Sequence, residues 1–215
     1  MPDVDSTSPL APEPNHRELI YKETRASGHG EELRWMVVRE TFGHPDTGRR
    51  ETRAVLRHPG VVVIVAFPSP DEILLVRQYR HPIGAHMWEL PAGTLDGRER
   101  DGAVVSEEQP EACAARELEE ETGWSARRVE PIGMCHPMPG TSDERLHVFV
   151  ARDLRPGAQA LDPGEVIGEV RRATVSEVFR MMAAGEITDG KTVSAMLYVL
   201  TAGIVSPSSL DGAGR

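Results

Sequence analysis

The sequence has few cysteines, no long apolar segment and no surplus of basic residues. Only two of its 215 residues are cysteines, Cys113 and Cys135, which excludes a disulfide scaffold or a four-cysteine zinc site. The longest strongly apolar run, residues 61–67, is far shorter than the span of about 20 residues that a membrane helix needs. Asp and Glu outnumber Lys and Arg by 34 to 24, which argues against a general nucleic-acid or anionic-membrane binder. These absences favour a cytoplasmic protein with reduced cysteines.

The length suits one domain with appendages, since about 150 residues make a typical domain. Hydrophobic residues make up 39% of the chain, which is enough for a core of ordinary size. Residues 1–16 and 206–215 have little to bury, and we expect both to be disordered, flexible tails. Between them we expect an N-terminal β-segment at 17–58 and a main domain at 59–205.

The order of strand and helix signals predicts the fold class. Residues 34–42 are rich in β-formers, end at the turn GHPDTG and are followed by RRETRAVLRH, which predicts a hairpin. The predicted strands of the main domain are 61–67, 72–80 and 146–154. The predicted helices are 110–122, 175–184 and 192–202, the first of them bounded by Pro110 and Gly123. This order predicts an α/β or α+β sandwich.

The most informative segment is AARELEEETGW, at residues 114–124. Glu117, Glu120 and Glu121 stand at i, i+3 and i+4, so a helix places them on one narrow face. Like charges at this spacing repel by a few tenths of a kcal/mol per pair in a solvated helix. A hard divalent cation would offset the repulsion, because Mg²⁺ favours carboxylate oxygens. A solvated acidic face is the simpler alternative.

The residues around this helix match a longer pattern. Gly93 ends the segment ELPAG, Glu108 precedes Arg116 by eight positions, and Gly123 follows the helix. The resulting pattern G…E-x7-R-E-L-x-E-E-x-G-W resembles the box of the Nudix hydrolases, G-x5-E-x7-R-E-U-x-E-E-x-G-U, with U aliphatic. Trp124 stands where that family has an aliphatic residue. Gly93 and Glu108 are separated by 14 residues instead of five, so we infer an inserted loop at about 97–109.

Flanking segments extend the resemblance from about residue 33 to 202. RHPGVVVIV, LLVRQYRHPIG, MWELPAGTLD and MPGTSDE are similar to the ADP-ribose pyrophosphatase branch of the Nudix hydrolases. The resemblance implies a Nudix fold, with a mixed β-sheet between helices and an N-terminal antiparallel β-segment. It also implies a homodimer formed through that segment.

The resemblance implies a metal site on the predicted helix. Glu117 and Glu121 match the family's principal Mg²⁺ ligands, and Glu120 matches a further ligand. The carbonyl oxygen of Ala92 is expected to complete the site, and Mn²⁺ could substitute for Mg²⁺. The residues alone indicate only three carboxylates on one face.

Four further residues of the pattern are expected to have structural roles. Gly93 and Gly123 bound the loop and the helix. Arg116 is expected to project roughly opposite the carboxylates and to pair with Glu108. Such a pair would hold the loop against the helix.

The general base is expected in the loop MPGTSDE, at residues 138–144. The family's ADP-ribose hydrolases commonly place a catalytic glutamate in such a loop, so the resemblance favours Glu144. Asp143 is the near competitor, one register step away, and Glu120 on the helix is a further catalytic candidate. A loop carboxylate in water is the alternative to a catalytic role.

Candidate substrate contacts lie before the box. Arg77 and Arg80 are candidates for phosphate contact, because Arg can bind phosphate through two parallel hydrogen bonds. They have opposite parity, so both reach one site only if the strand ends near Gln78, and Arg80 is preferred. Glu89 is expected to contact base or ribose. Trp35 is a candidate for stacking on adenine, although an edge-strand Trp is more often a packing residue.

The resemblance implies Mg²⁺-dependent hydrolysis of the pyrophosphate bond of ADP-ribose, a small-molecule nucleotide, to AMP and ribose 5-phosphate. Hydrolysis of another nucleoside diphosphate sugar, such as a GDP- or UDP-sugar, is an alternative. A non-catalytic nucleotide-sensing Nudix module is disfavoured, because all three box carboxylates are present and no segment is left for a DNA-binding domain.

A second motif points to a different chemistry. The segment GEITDGKT, at residues 185–192, satisfies the P-loop pattern G-x4-G-K-T. A P-loop connects a strand to a helix, whereas the preceding residues VFRMMAAG are helix-like. We therefore interpret this segment as a polar turn between helices.

Overall fold

The structure is a computed structural model that describes residues 16–27, 30–101, 103–106, 108–162 and 164–206. The two predicted tails, 1–16 and 206–215, lie outside these ranges apart from His16 and Ser206. The described residues form twelve strands and three helices. The strands are β1 (His16–Ser27), β2 (Gly30–Gly43), β3 (Arg50–Arg57), β4 (Val61–Ala66), β5 (Glu72–Arg80), β6 (Ala85–Glu89), β7 (Ala92–Thr94), β8 (Gly97–Arg100), β9 (Ala103–Ser106), β10 (Trp124–Cys135), β11 (Leu146–Pro156) and β12 (Ile167–Thr174). The helices are α1 (Pro110–Thr122), α2 (Val175–Ala183) and α3 (Gly190–Thr201).

The first three strands form an antiparallel sheet in the order β1-β2-β3. The hairpin of β2 and β3 is the one that the turn GHPDTG predicts, and it pairs Val38 with Val55. β1 pairs with the other edge of β2, which makes β2 the central strand. This N-terminal sheet spans residues 16–57, against the predicted segment at 17–58.

The centre of the fold is a mixed four-stranded sheet in the order β10-β11-β4-β7. β4 runs parallel to β11 and antiparallel to β7. Its alternate side chains enter two cores, because neighbouring side chains of a strand point to opposite faces. Val61, Val63 and Val65 pack with α2 and α3, whereas Val62 and Ile64 pack with α1. The predicted sandwich, a mixed sheet between helices, is confirmed.

A further antiparallel sheet, in the order β12-β5-β6, carries the segment RQYR and the residues before the box. β5 pairs Val76 with Glu89 of β6, and it extends as far as Arg80. β6 leads directly into the turn Leu90–Pro91 and then into β7. The turn therefore joins this sheet to the central one beside α1.

The inserted segment at 97–109, predicted as a loop, contains a second hairpin made of β8 and β9. Asp101 has φ 54°, a left-handed conformation that suits a tight hairpin turn and that Asp tolerates better than most residues. Val104 of β9 is buried with Leu33, Met36 and Val38 of the N-terminal sheet. The hairpin was not predicted because its segment is mostly polar and only one of its side chains, that of Val104, enters a core.

The helix boundaries follow from their caps. α1 has Pro110 at its first turn and ends at Gly123, whose φ of 74° is the left-handed conformation that favours glycine. α3 begins at Gly190, earlier than predicted, because the side chain of Asp189 accepts a hydrogen bond from the Thr192 N–H and caps the helix. Among the described residues, we find no helix with the length and apolarity that crossing a membrane requires.

Candidate active site

The carboxylate face of α1 packs against the edge of the central sheet at β7. Glu117 and Glu121 are only 4% and 2% exposed. A side chain at Gly93 of β7 would lie 1.9 Å from the Glu117 Cδ atom, so only glycine allows this approach. Gly93 therefore lets a buried carboxylate of the helix lie directly against the strand backbone.

Ala92 contacts the second buried carboxylate. Its backbone N–H donates a hydrogen bond of 3.0 Å to the Oε2 atom of Glu121. The predicted contribution of Ala92 to a metal site was its carbonyl oxygen, and that role stays a prediction. The strand–turn segment that carries Ala92 and Gly93 thus holds Glu117 and Glu121 from one side.

Burial makes the ionised forms of both carboxylates costly. Burial raises the pKa of Glu117 to about 7, although the neighbouring Arg116 guanidinium opposes the rise. Burial also raises the pKa of Glu121 well above its usual range, and the negative charge of Glu117 adds to the effect. A nearby cation would favour the ionised forms of these two buried carboxylates.

Arg116 lies on the carboxylate side of α1, contrary to the prediction that it projects away. Its Nη1 atom donates to Glu117 Oε1 at 2.9 Å and to Glu120 Oε2 at 2.8 Å. The long side chain spans one helical turn, and i,i+4 neighbours lie on the same face. Its Nε atom also donates to Glu108 Oε1 at 3.1 Å, which is the predicted partner.

The same guanidinium affects how the site could hold a metal. Among the described residues, no three His, Cys, Asp or Glu side chains are grouped so as to hold an ion as they stand. The chemistry of the donor set nevertheless fits a hard divalent cation, since it consists of carboxylate oxygens. Glu117 and Glu120 would be among the residues that hold such an ion, and in this structure both accept hydrogen bonds from Arg116.

Glu108 ties the base of the inserted hairpin to α1. Its Oε2 atom accepts a hydrogen bond of 3.0 Å from the Asp96 N–H, and both of its oxygens accept from Arg116. The hairpin therefore begins and ends beside the helix that carries the carboxylates.

The loop between β10 and β11 carries Asp143 and Glu144. Both oxygens of Asp143 accept hydrogen bonds of 2.9 Å, Oδ2 from Arg57 and Oδ1 from the His58 N–H. Glu144 is half-buried, and burial raises its pKa, while the charge of Lys191 acts in the opposite direction. The two neighbouring carboxylates thus have different surroundings.

Arg80 is fixed by Glu89 at the end of β5. Its Nε and Nη2 atoms donate to the two Glu89 oxygens at 2.7 and 2.6 Å. The pKa of Arg80 is raised, first by this hydrogen bonding, and the negative charge of Glu121 also contributes, so Arg80 lies near α1. Glu89 is 1% exposed. In this structure the Glu89 carboxylate is buried and paired with Arg80, and its predicted contact with base or ribose stays a prediction.

Lys191 is a site residue that the sequence reasoning missed. Its Nζ atom donates to Glu89 Oε2 at 3.2 Å and to Asp189 Oδ1 at 2.6 Å. The Leu90 N–H donates to the Thr192 Oγ1 atom at 2.9 Å, which fixes the start of α3 to the turn before β7. The signal for Lys191 was present in GEITDGKT, the segment that we interpreted as a polar turn.

The structure does not bring Arg77 and Trp35 to this cluster. β5 extends to Arg80, so Arg77 and Arg80 point to opposite faces, and Arg77 lies 6.0 Å from the centre of the Trp88 ring. Trp35 packs against Tyr21 at 5.4 Å between ring centres. It stands on the central strand of its sheet, and not on an edge strand as predicted.

The mixed sheet between helices, with the carboxylate face of α1 against Gly93 of β7, is the arrangement expected of a Nudix hydrolase. The NUDIX domain family model matches residues 56–195 of the chain. The chain therefore belongs to the Nudix family, and the match includes α1, Glu144 and Lys191.

Two of the relatives are about one-third identical to this chain over the residues that align. The ADP-ribose pyrophosphatase of Bacillus subtilis (strain 168) is 34% identical over 154 residues, which cover 71% of this chain and 78% of that protein. The ADP-ribose pyrophosphatase of Mycobacterium tuberculosis is 36% identical over 166 residues, covering 74% and 75%. A crystal structure of an ADP compounds hydrolase has the same fold, with a TM-score of 0.64, 20% identity, and coverage of 91% of this chain and 100% of that chain.

Proposed function

We propose that this protein hydrolyses the pyrophosphate bond of ADP-ribose to AMP and ribose 5-phosphate, with Mg²⁺ as cofactor and Mn²⁺ as a substitute. The observation that carries the proposal is the face of α1 where Glu117 is buried against Gly93 and Glu121 against Ala92, at the spacing of the Nudix box. Two ADP-ribose pyrophosphatases that are similar to this chain support the choice of substrate.

Glu117, Glu120 and Glu121 would hold the metal, with the Ala92 carbonyl as a further ligand. A bound divalent ion would neutralise charge on the pyrophosphate bridge and make a water molecule more acidic. The raised pKa values of Glu117 and Glu121 support this assignment, because a cation removes the cost of ionising them.

Glu144 would act as the general base. A general base must lie within hydrogen-bond reach of the water that it deprotonates. Asp143 is a poorer candidate, because Arg57 and the His58 N–H already engage both of its oxygens. The charge of Lys191 keeps Glu144 ionised to a lower pH than its burial alone would allow.

Arg80 would contact the phosphate groups. Glu89 holds the Arg80 guanidinium through two hydrogen bonds, and 36% of the Arg80 side chain is exposed. A pre-oriented, partly exposed guanidinium suits bidentate contact with phosphate oxygens. Adenine stacking on Trp35 stays a prediction, and it lacks support in the contacts of Trp35, which packs against Tyr21.

The N-terminal sheet is our candidate for the interface of a homodimer. Its edge strand β1 exposes Leu19, Ile20 and Tyr21, each about half exposed, at 49%, 47% and 50%. Contiguous exposed apolar side chains are typical of interaction surfaces. Light scattering on the full chain would test the oligomeric state, and a monomer would contradict the proposed homodimer.

We also propose a cytoplasmic location, since Cys113 and Cys135 are unbridged.

A panel of nucleotide substrates tests the proposed activity. The full-length chain is incubated with Mg²⁺ and ADP-ribose, a GDP-sugar or a UDP-sugar, and the specificity constant kcat/KM is measured for each. We expect ADP-ribose to give the highest value. A higher value for a GDP- or UDP-sugar would leave the reaction class unchanged and reassign the substrate. Tight nucleotide binding without hydrolysis of any substrate would favour a sensor module.

A further inference from the structure

The loop that carries Glu144 is bound to the end of β3 in the N-terminal sheet. The Leu56 N–H donates to the Thr141 carbonyl at 2.9 Å, and Leu56 forms an isolated parallel bridge with Ser142. The His58 N–H then donates to the Asp143 side chain. The backbone of the loop therefore follows the last residues of β3 up to the position before Glu144.

Arg57 adds a side-chain contact at the same place. Its Nη1 atom donates to Asp143 Oδ2 at 2.9 Å. Its Nη2 and Nε atoms donate to the two oxygens of Glu40 at 2.5 and 3.3 Å. The Arg57 guanidinium thus bridges Glu40 of the N-terminal sheet and Asp143 of the loop that carries Glu144.

Glu40 is a rigid anchor for this bridge. It lies on the central strand β2, is 4% exposed, and also accepts a hydrogen bond of 2.7 Å from Arg17 Nε on β1. The Arg57 side chain is itself only 17% exposed, so solvent competes weakly with these contacts. Partly buried charge-assisted hydrogen bonds of this length are among the stronger polar contacts in proteins.

We infer that Arg57 is a positioning residue that sets the location of Glu144 through Asp143. The inference rests on the proposed function, in which Glu144 is the general base. Asp143 immediately precedes Glu144, so fixing both oxygens of Asp143 also fixes the backbone from which the Glu144 side chain starts. The planar guanidinium can serve Glu40 and Asp143 at once, whereas an ammonium group lacks this forked geometry.

The first test is Arg57→Ala in the full-length protein, with ADP-ribose and Mg²⁺. A misplaced general base lowers turnover, and a displacement of about 1 Å can cost about 100-fold. We expect kcat to fall by about 10- to 100-fold, while KM and the Mg²⁺ concentration for half-maximal activity change little. Added guanidinium ion should restore part of the lost kcat, because it can bind between Glu40 and Asp143.

Arg53→Ala is the matched control. Arg53 lies on the same strand, and its side chain is 60% exposed, with a surface pair to Glu51. This variant should keep the wild-type kcat and show no effect of guanidinium. The comparison separates the loss of a charge on β3 from the loss of the bridge.

The second test is Asp143→Asn, which also covers the case in which Arg57→Ala does not fold. It should lower kcat with little change in KM, and the double variant should be no worse than the more damaged single variant. A wild-type kcat in folded Arg57→Ala, or in Asp143→Asn when Arg57→Ala is unfolded, would overturn the inference. So would a rise in KM with kcat unchanged. Failure of the wild type to hydrolyse any nucleotide would instead contradict the proposed function.

Discussion

Asp143 and Glu144 are adjacent carboxylates with different surroundings. The oxygens of Asp143 are engaged by Arg57 and the His58 N–H, whereas burial and the charge of Lys191 act on Glu144 in opposite directions. Asp143 is therefore suited to holding the loop in place, whereas Glu144 is the carboxylate available to accept a proton. The sequence alone could not decide which of the two is the general base, because the residues that contact them lie more than 40 positions away in the chain.

Glu144→Gln keeps the shape of the side chain and removes its basicity. We expect kcat to fall by about 10²- to 10⁴-fold, with KM and Mg²⁺ dependence nearly unchanged. A base must be unprotonated to act, so wild-type kcat should rise as the pH increases through the raised pKa of Glu144. The pH profile of the variant should lose this rise.

The pH profile also distinguishes the neighbouring carboxylates. Asp143→Asn should retain the rise, because it displaces the base without removing it. A near-normal Glu144→Gln together with an inactive Glu120→Gln would place the base on α1. Loss of the rise in Asp143→Asn alone would show that the register is off by one.

Glu121→Gln tests the buried carboxylates of α1. A neutral amide is a poor ligand for Mg²⁺, so turnover should fall by orders of magnitude. Because the folded-state pKa of Glu121 is raised, the wild-type protein without metal loses stability as the pH rises above the ordinary carboxyl value of 4.5. The variant should lose less, and its metal-free melting temperature at neutral pH should be no lower than that of the wild type. Loss of activity with gross unfolding would make this site structural.

The carboxylate face could be predicted because three glutamates at i, i+3 and i+4 lie together on any helix. The position of the Arg116 guanidinium could not be predicted from the same pattern, because its long side chain bends toward Glu117 and Glu120. Lys191 comes from a segment about 70 positions beyond α1 in the sequence. Contacts of this kind depend on how the elements pack, which periodicity does not record.

Elements with one strong signal were predicted well. α1 has the predicted ends because Pro110 and Gly123 act locally. β4 was predicted from its continuous run of apolar, mostly β-branched residues, and the structure buries all of them. β1, β10 and β12 were not predicted as separate strands, because their polar and apolar residues are mixed and much of each strand is exposed. The β8–β9 hairpin was missed for the same reason.

The β8–β9 hairpin is attached to the N-terminal sheet. Val104 enters a core with Leu33 and Met36, and the Arg17 Nη1 atom donates to the Asp101 carbonyl at 2.8 Å. Lys22 also pairs with Glu99. The hairpin therefore joins the N-terminal sheet to the segment between β7 and α1.

Deleting residues 98–107 should leave α1 in place, because Glu108 and Arg116 are retained. It should lower the melting temperature by several degrees, since burying a Val side chain contributes about 1.5–3 kcal/mol. Val104→Ser should reproduce part of this loss, and Val105→Ser, on the opposite face of β9, should have a smaller effect. A shortened protein with an unchanged melting temperature would show that the hairpin is peripheral. Calorimetry gives the comparison.

At the scale of the whole molecule, an acidic chain has to bind an anionic substrate. The net charge is −10, and Arg80 and Lys191 provide cations next to Glu89. Both cations are paired with the buried Glu89, which offsets part of their positive charge. The net charge around the site therefore depends on whether α1 has bound a metal ion. Metal and substrate should therefore bind in a mutually dependent way.

The most direct measurement identifies the products formed from ADP-ribose by mass spectrometry. The full-length protein is incubated in water labelled with heavy oxygen, with Mg²⁺ or with a chelator, beside Glu121→Gln as the control. The wild type with Mg²⁺ should give AMP and ribose 5-phosphate, with the label in only one product. The chelated protein and the variant should give almost none. Unchanged ADP-ribose with Mg²⁺, or equal product formation in the chelated sample, would contradict the account.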